Sequence, residues 1–179
     1  MKQLLIIIFL FQLFGTFIFS QMPVSKEATL IEAVSSSEWL IEATGKYTSP
    51  EKKEKKAKKD VDKNGVTKAT DDAKKAVVYF VLFGGTDPLI SSSQERQKFD
   101  EYESFYFDMS NISRYISWEE SALQKKVKLN GGKGLKIVKR FKINKSILMK
   151  DLENHNILEA REDLADVFGN PFIMVLPEV

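Results

Sequence analysis

The hydrophobic period shifts repeatedly along this chain, and each shift predicts an element. Trp39, Ile41 and Ala43 alternate with Leu40, Glu42 and Thr44 ahead of Gly45, a period of two that predicts a strand. Ser49-Pro50-Glu51 supplies a cap, a first-turn proline and an acidic residue, predicting a Lys-rich helix through about Lys59. Its sequence EKKEKKAKKD has almost no apolar face, so this helix is expected to be solvated or marginal. Thr70-Asp71-Asp72 opens a second helix with Ala73, Ala76, Val77 and Phe80 at helical spacing, stopped by Gly84-Gly85. A third runs over about 93–107, where Phe99, Tyr102, Phe105 and Tyr106 form an aromatic stripe expected to be core.

From Ile112 the period returns to two in ISRYISW, KKVKL and LKIVKRFKIN. In the last of these Leu135, Ile137, Phe141 and Ile143 share one face, while Lys136, Arg140 and Lys142 share the other. Asn130-Gly131-Gly132 tolerates positive φ and predicts an antiparallel hairpin between the second and third segments. Ser146 caps a short helix with Leu148 and Leu152, and an amphipathic piece with Leu164 and Val167 ends at Gly169. The expected fold is α+β, a small antiparallel sheet of about four strands packed against two or three helices.

The N-terminus stands apart, since 14 of the first 20 residues are apolar. Met1-Lys2-Gln3 is a short basic lead, Leu4 to Phe19 an almost unbroken apolar run, and Ser20 a small residue before Gln21. That pattern predicts a signal peptide over 1–20, cleaved after Ser20, because the run is short for a bilayer span of roughly 20 residues. The mature chain is then expected in the periplasm or outside the cell, with no membrane-spanning segment. Residues 21–37 read as a polar lead-in, 38–169 as the domain with a Lys-rich insertion over 51–63, and 170–179 as an apolar strand. Phe172 to Leu176, flanked by Pro171 and Pro177, fits a strand buried on both faces. It is expected either to begin a further domain in a longer protein, of which this chain is a fragment or truncation, or to dock on the sheet edge.

Composition narrows the chemistry. The 179 residues carry 27 Lys+Arg and 25 Asp+Glu, a formal charge of +2, with no cysteine and one histidine. Disulfides, thiol nucleophiles and cysteine-ligated metals are excluded, and most catalytic constellations go with them. No catalytic residue, cofactor or metal is assigned. Asp60, Asp62 and Asn64, with Gly65 at loop position 6 and Asp71 at position 12, match the oxygen spacing of a calcium loop. Position 12 is Asp rather than Glu, so a solvated loop between two helices is the competing expectation. Lys125 to Lys145 holds nine basic residues and no acid. Lys126, Lys128, Lys136, Arg140 and Lys142 are expected to share one hairpin face, open to a polyanion or simply solvated. Nucleic acid is not expected as a partner.

The remaining candidates are weaker. His155 lies between two asparagines in an expected exposed turn, and Asn111-Ile112-Ser113 fits a glycosylation acceptor. Asp100, Glu101, Glu103 and Asp108 are expected to line the solvent face opposite the aromatics. Gly84-Gly85-Thr86-Asp87-Pro88 lacks the lysine of a phosphate loop and is expected to stop the helix.

The segments SSEWLIEATGKYTS, DDAKKAVVYFVLFGG, KKVKLNGG, GLKIVKRFKIN and GNPFIMVLPE, in that order, resemble the N-terminal module of exported envelope proteins related to flagellar assembly protein T and LPP-type lipoproteins. The resemblance implies an alanine-spaced helix packed on a small antiparallel sheet, often followed by a TolB-like domain, with no catalytic motif. The function it implies is a non-enzymatic envelope module with an unidentified protein partner. A calcium-binding surface protein and a carboxylate-based hydrolase are the alternatives.

Overall fold

The computed structural model describes residues 22–159. The N-terminal apolar run, the amphipathic piece around Leu164 and the Phe172 to Leu176 strand lie outside the described residues. Within them the chain is α+β, with five antiparallel strands and helices packed on one face of the sheet. The strands are β1 (Ala28–Ala33), β2 (Glu38–Thr48), β3 (Ile116–Glu119), β4 (Lys125–Leu129) and β5 (Gly134–Asn144). The helices are α1 (Glu54–Phe83), α2 (Ser93–Tyr106), α3 (Met109–Tyr115) and α4 (Lys145–Asn154).

β2 and β5 form the centre, paired antiparallel over eleven positions from Glu38 opposite Asn144 to Thr48 opposite Gly134. β1 flanks β2, and β3 and β4 lie one after the other along the far side of β5. Glu120 N–H and Gln124 N–H continue that ladder onto Arg140 and Val138 carbonyls. The pair therefore behaves as one edge strand interrupted by a loop. The hairpin turn is as expected, with Asn130, Gly131 and Gly132 all at positive φ.

Alternation in β5 sends Leu135, Ile137, Phe141 and Ile143 inward, where each is 0–1% exposed. Each such burial stabilises by about 1.5–3 kcal/mol. Phe141 and Ile143 join the C-terminal half of α1 and the buried Phe99, Tyr106, Phe107, Tyr115, Leu148 and Leu152 in one cluster, while Leu135 and Ile137 pack with Val61 and Ala69 of α1 in a second. The aromatic stripe divides accordingly, because Phe99 and Tyr106 are core while Tyr102 remains 37% exposed. The starts of α2, α3 and α4 are capped by side chains. Ser92 and Glu95 form a reciprocal box at α2, Asp108 accepts from Ser110 N–H at α3, and Asn144, rather than Ser146, accepts from Ile147 N–H at α4.

Three expectations are corrected. The two helices expected on either side of a loop at 60–69 are one 30-residue helix, because Ala57, Val61, Gly65, Ala69, Ala73 and Ala76 give an unbroken small-residue stripe that lies flat on the sheet. Its Lys-rich first turns are solvated, as expected, with Ala57 alone buried over 51–60, and the helix begins at Glu54 rather than directly after Ser49. Residues 109–115 are helical and not part of a strand, since Ile112 and Tyr115 face the core at helical spacing. The lead-in over 21–37 contains β1, whose Ala28 pairs with Ala43 and Leu30 with Ile41. No helix among the described residues is long and apolar enough to cross a membrane.

Candidate functional site

Three places gather polar chemistry. The first is a cleft of about 660 Å3 between the 86–92 loop, the start of α2 and the chain leaving α4. Lys145 forms part of its wall with only a tenth of its side chain exposed; the ammonium lies 4.2 Å from the Trp39 ring centroid and 3.1 Å from Asp87. Lys98 Nζ donates to the Asn156 carbonyl at 2.9 Å, and Ser91 and Ser92 N–H both donate to Glu95. Asp87, Glu95, Lys98 and Lys145 are thus each already engaged. The Gly84-Gly85-Thr86-Asp87-Pro88 segment ends α1, as expected, and places Asp87 against Lys145.

The second is the calcium-loop segment, where the geometry corrects the expectation. Asp60, Asp62, Asn64 and Asp71 lie on one continuous helix, so Asp60 and Asp71 are about 16 Å apart along the axis. They do not converge. Asp60 instead accepts hydrogen bonds from Tyr47 and Ser49 hydroxyls, both at 2.6 Å, and from Asn64 at 2.8 Å. These bonds hold its carboxyl below the ordinary range, while burial, followed by the Asp60 bond, pushes the Tyr47 phenol up to about 12. Burial raises the Asp71 carboxyl. Among the described residues no cluster of three acids or histidines is placed to hold a metal.

The third is the hairpin, and the register divides the expected basic face. Lys126 and Lys128 stand opposite Ile137 and Leu135 on the helix side, whereas Lys136, Arg140 and Lys142 face the open side. Lys128 reaches Asp62 of α1 at 3.0 Å. On the open side each cation meets a carboxylate: Lys136 with Glu27, Arg140 with Glu42, Lys142 with Glu38. Glu27 also takes Lys46, and the two ammonium partners hold its carboxyl down at about 2.

His155 is not in an open turn. Its ring stacks on Tyr102 at 4.4 Å, meets Phe105 edge-on, and its Nδ1 lies 2.8 Å from the Tyr106 hydroxyl. Asn111 of α3 donates its amide to the Phe105 carbonyl at the end of α2 at 2.9 Å, so the nitrogen a glycan would need is engaged. Asp100 pairs with Arg96, and Glu101 is exposed on the outer face of α2 as expected. Glu103 is half-buried, and Asp108 caps α3.

Sequence patterning gives no sign of three buried polar groups. Asp72 accepts N–H bonds from Val24, Ser25 and Lys46 and so fastens the N-terminal segment to α1. Its burial outweighs those donors and leaves the carboxyl above the ordinary range. Lys139 and Lys74 share Glu119 between α1 and β3; burial opposes ionisation there, and the two ammonium groups overcome it, leaving that carboxyl low. Asp151 accepts from the buried Tyr115 hydroxyl at 2.8 Å. A charged residue amid apolar ones is the only trace such groups leave in a sequence. No family model, curated protein or solved structure matches this chain.

Proposed function

We propose that the chain is an exported, non-enzymatic envelope module that binds or positions another protein. The observation that carries this reading is the one-sidedness of the sheet. Among the described residues the helices pack on one face, leaving β1 and the opposite face uncovered by them, with Ile31 46% and Trp118 44% exposed. Exposed apolar side chains on an edge and an uncovered face suit an interaction surface. The Leu4 to Phe19 run supports export. The alanine-lined helix lying on an antiparallel sheet agrees with the arrangement that the resemblance to flagellar assembly protein T implies.

The side chains that first suggested chemistry have structural work. Asp60 ties α1 to the end of β2, and His155 joins α4 to α2. The test is photo-crosslinking from the full chain in envelope extracts, with the probe at Ile31. A discrete adduct of fixed mass is expected. A pattern indistinguishable from that of a probe at Gln97, exposed on α2, would refute the reading.

A further inference from the structure

The fold brings two lysine-rich stretches, far apart in sequence, to one end of the molecule. Residues 51–63 and 125–133 together hold eleven lysines and four carboxylates. The Lys58 side chain passes 3.6 Å from where a Cβ on Gly132 would stand, and Lys128 reaches Asp62 at 3.0 Å. The start of α1 and the β4–β5 turn are therefore one surface. We propose that this surface binds an anionic lipid bilayer through the phosphates of its headgroups.

Three observations carry the proposal. Within this end the ion pairs are Lys58 with Glu54 and Lys128 with Asp62, whereas elsewhere Lys46, Lys74, Lys136, Lys139, Arg140 and Lys145 each hold a carboxylate. Lysines without a carboxylate ion pair are thus clustered at this end, whereas Lys26, Lys68, Lys98 and Lys150 are scattered singly over the rest of the described residues. Second, lysines crowd the N-terminal turns of α1, where the helix dipole is itself positive and cations are unfavourable. Lys53, the residue at the cap position, makes no side-chain cap bond. Apart from the Lys58–Glu54 pair, the arrangement weakens the helix start.

Third, Lys52, Lys56, Lys59 and Lys63 recur at spacings of four, three and four, and the three that lie on α1 form a stripe about 10 Å long. All four are exposed; Lys56, Lys59 and Lys63 lie on the side of the helix away from buried Ala57, Val61 and Gly65, and Lys52 stands just before its first turn. A straight, outward row of flexible point charges suits a flat, diffuse field of phosphates. Sequence-specific duplex recognition would call for base-edge contacts such as those of arginine forks, and this end has no arginine. Stacking on single strands would need an aromatic platform, and Tyr47, its one aromatic, is tied to Asp60. The preference for lipid over nucleic acid rests on the export reading, and the DNA arm of the experiment tests it separately.

The full chain is mixed with phosphatidylcholine vesicles, with vesicles containing about 30% phosphatidylglycerol, and with duplex DNA, at about 0.05 and 0.5 M NaCl. The apolar N-terminal run is common to both vesicle types, so the increment due to anionic lipid is the readout. That increment is expected to be about tenfold or more at low salt and to vanish at high salt. The variant Lys52→Gln/Lys56→Gln/Lys59→Gln/Lys63→Gln should lose it. A variant of equal net charge, Lys26→Gln/Lys68→Gln/Lys98→Gln/Lys150→Gln, should keep it. Thermal melting checks folding, and the stripe variant should melt no lower than the parent because it relieves the helix start. Absence of an increment, equal loss in both variants, or salt-dependent DNA binding without vesicle binding would overturn the proposal.

Discussion

Gly45 and Ala69 touch backbone to backbone. A Cβ built on Gly45 would stand 1.8 Å from the Ala69 carbonyl oxygen and 2.8 Å from the Ala73 nitrogen. β2 and α1 are in contact there through their main chains, and only a residue without a side chain fits. Gly45→Ala therefore has to separate helix from strand, and neither can yield without opening the core. A loss of about 3 kcal/mol or more is expected, read as a lowered denaturation midpoint. Gly65→Ala is the control. Its Cβ would meet only side chains, Val61 at 3.2 Å and Leu135 at 3.4 Å. The helix-propensity gain of about 0.5–1 kcal/mol offsets that crowding, so its midpoint should remain within about 1 kcal/mol of the parent.

Acid should remove one identifiable contribution. Glu27 sits between Lys46 and Lys136 with its carboxyl lowered from 4.5 to about 2. A lowered folded value means that the stability it confers is present above pH 4.5 and is lost as pH falls toward 2. The side chain is about half exposed, so solvent screening keeps the effect under about 1 kcal/mol. Comparing urea midpoints of Glu27→Gln and the parent at pH 7 and pH 3 should show a gap that closes at the lower pH.

Asp72 should behave in the opposite sense. Burial leaves its carboxyl above the ordinary 3.8, so the folded chain binds that proton more tightly than the unfolded one. Its titration favours folding most at low pH, and this contribution declines as pH rises through the raised value. Asp72→Ala leaves the N–H groups of Val24, Ser25 and Lys46 without their acceptor, at a cost of about 2 kcal/mol. Hydrogen exchange at Val24 and Ser25 should accelerate most.

Calcium should have no part in the role of Asp60. Asp60→Ala removes the acceptor for Tyr47, Ser49 and Asn64, and a lower melting temperature than the parent's is expected. The Tyr47 phenol, relieved of a neighbouring carboxylate, should titrate below its present value of about 12. Millimolar CaCl2 should shift neither the parent nor the variant melting temperature, and a rise of several degrees in the parent alone would show that a calcium site exists.

Tyr106→Phe isolates the hydrogen bond to His155 while keeping the ring that packs on Phe99 at 5.1 Å. A loss of about 1 kcal/mol is expected. His155→Ala also removes the stack on Tyr102, so its loss should be larger by about 0.5–1.5 kcal/mol. Equal losses would mean that the stack contributes nothing.

Some of this architecture is legible in the residues and some is not. β5 reads directly, because Leu135, Ile137, Phe141 and Ile143 alternate with charge, and so does the turn at Asn130 to Gly132. α1 is obscured by its own punctuation. Asp60, Asn64 and Gly65 suggest a break, yet Gly65 is small because Leu135 lies against it. Only the four-residue recurrence Ala57, Val61, Gly65, Ala69, Ala73 marks one helix. In ISRYISW the isoleucines and tyrosine satisfy both periods, and α3 forms because Tyr115 must reach Asp151. The split of the hairpin lysines follows from pairing register, which no single strand's sequence specifies.

The pairing of β2 with β5 also bears on when the chain can fold. The two central strands are separated by about 85 residues, and β2 emerges from the ribosome some 5–20 s before its partner at typical synthesis rates. Throughout that interval α1 can coil locally, but the sheet has no centre, and contacts this distant in sequence form slowly even once complete. A nascent chain of this topology therefore stays without its sheet, and open to other contacts, until β5 has emerged.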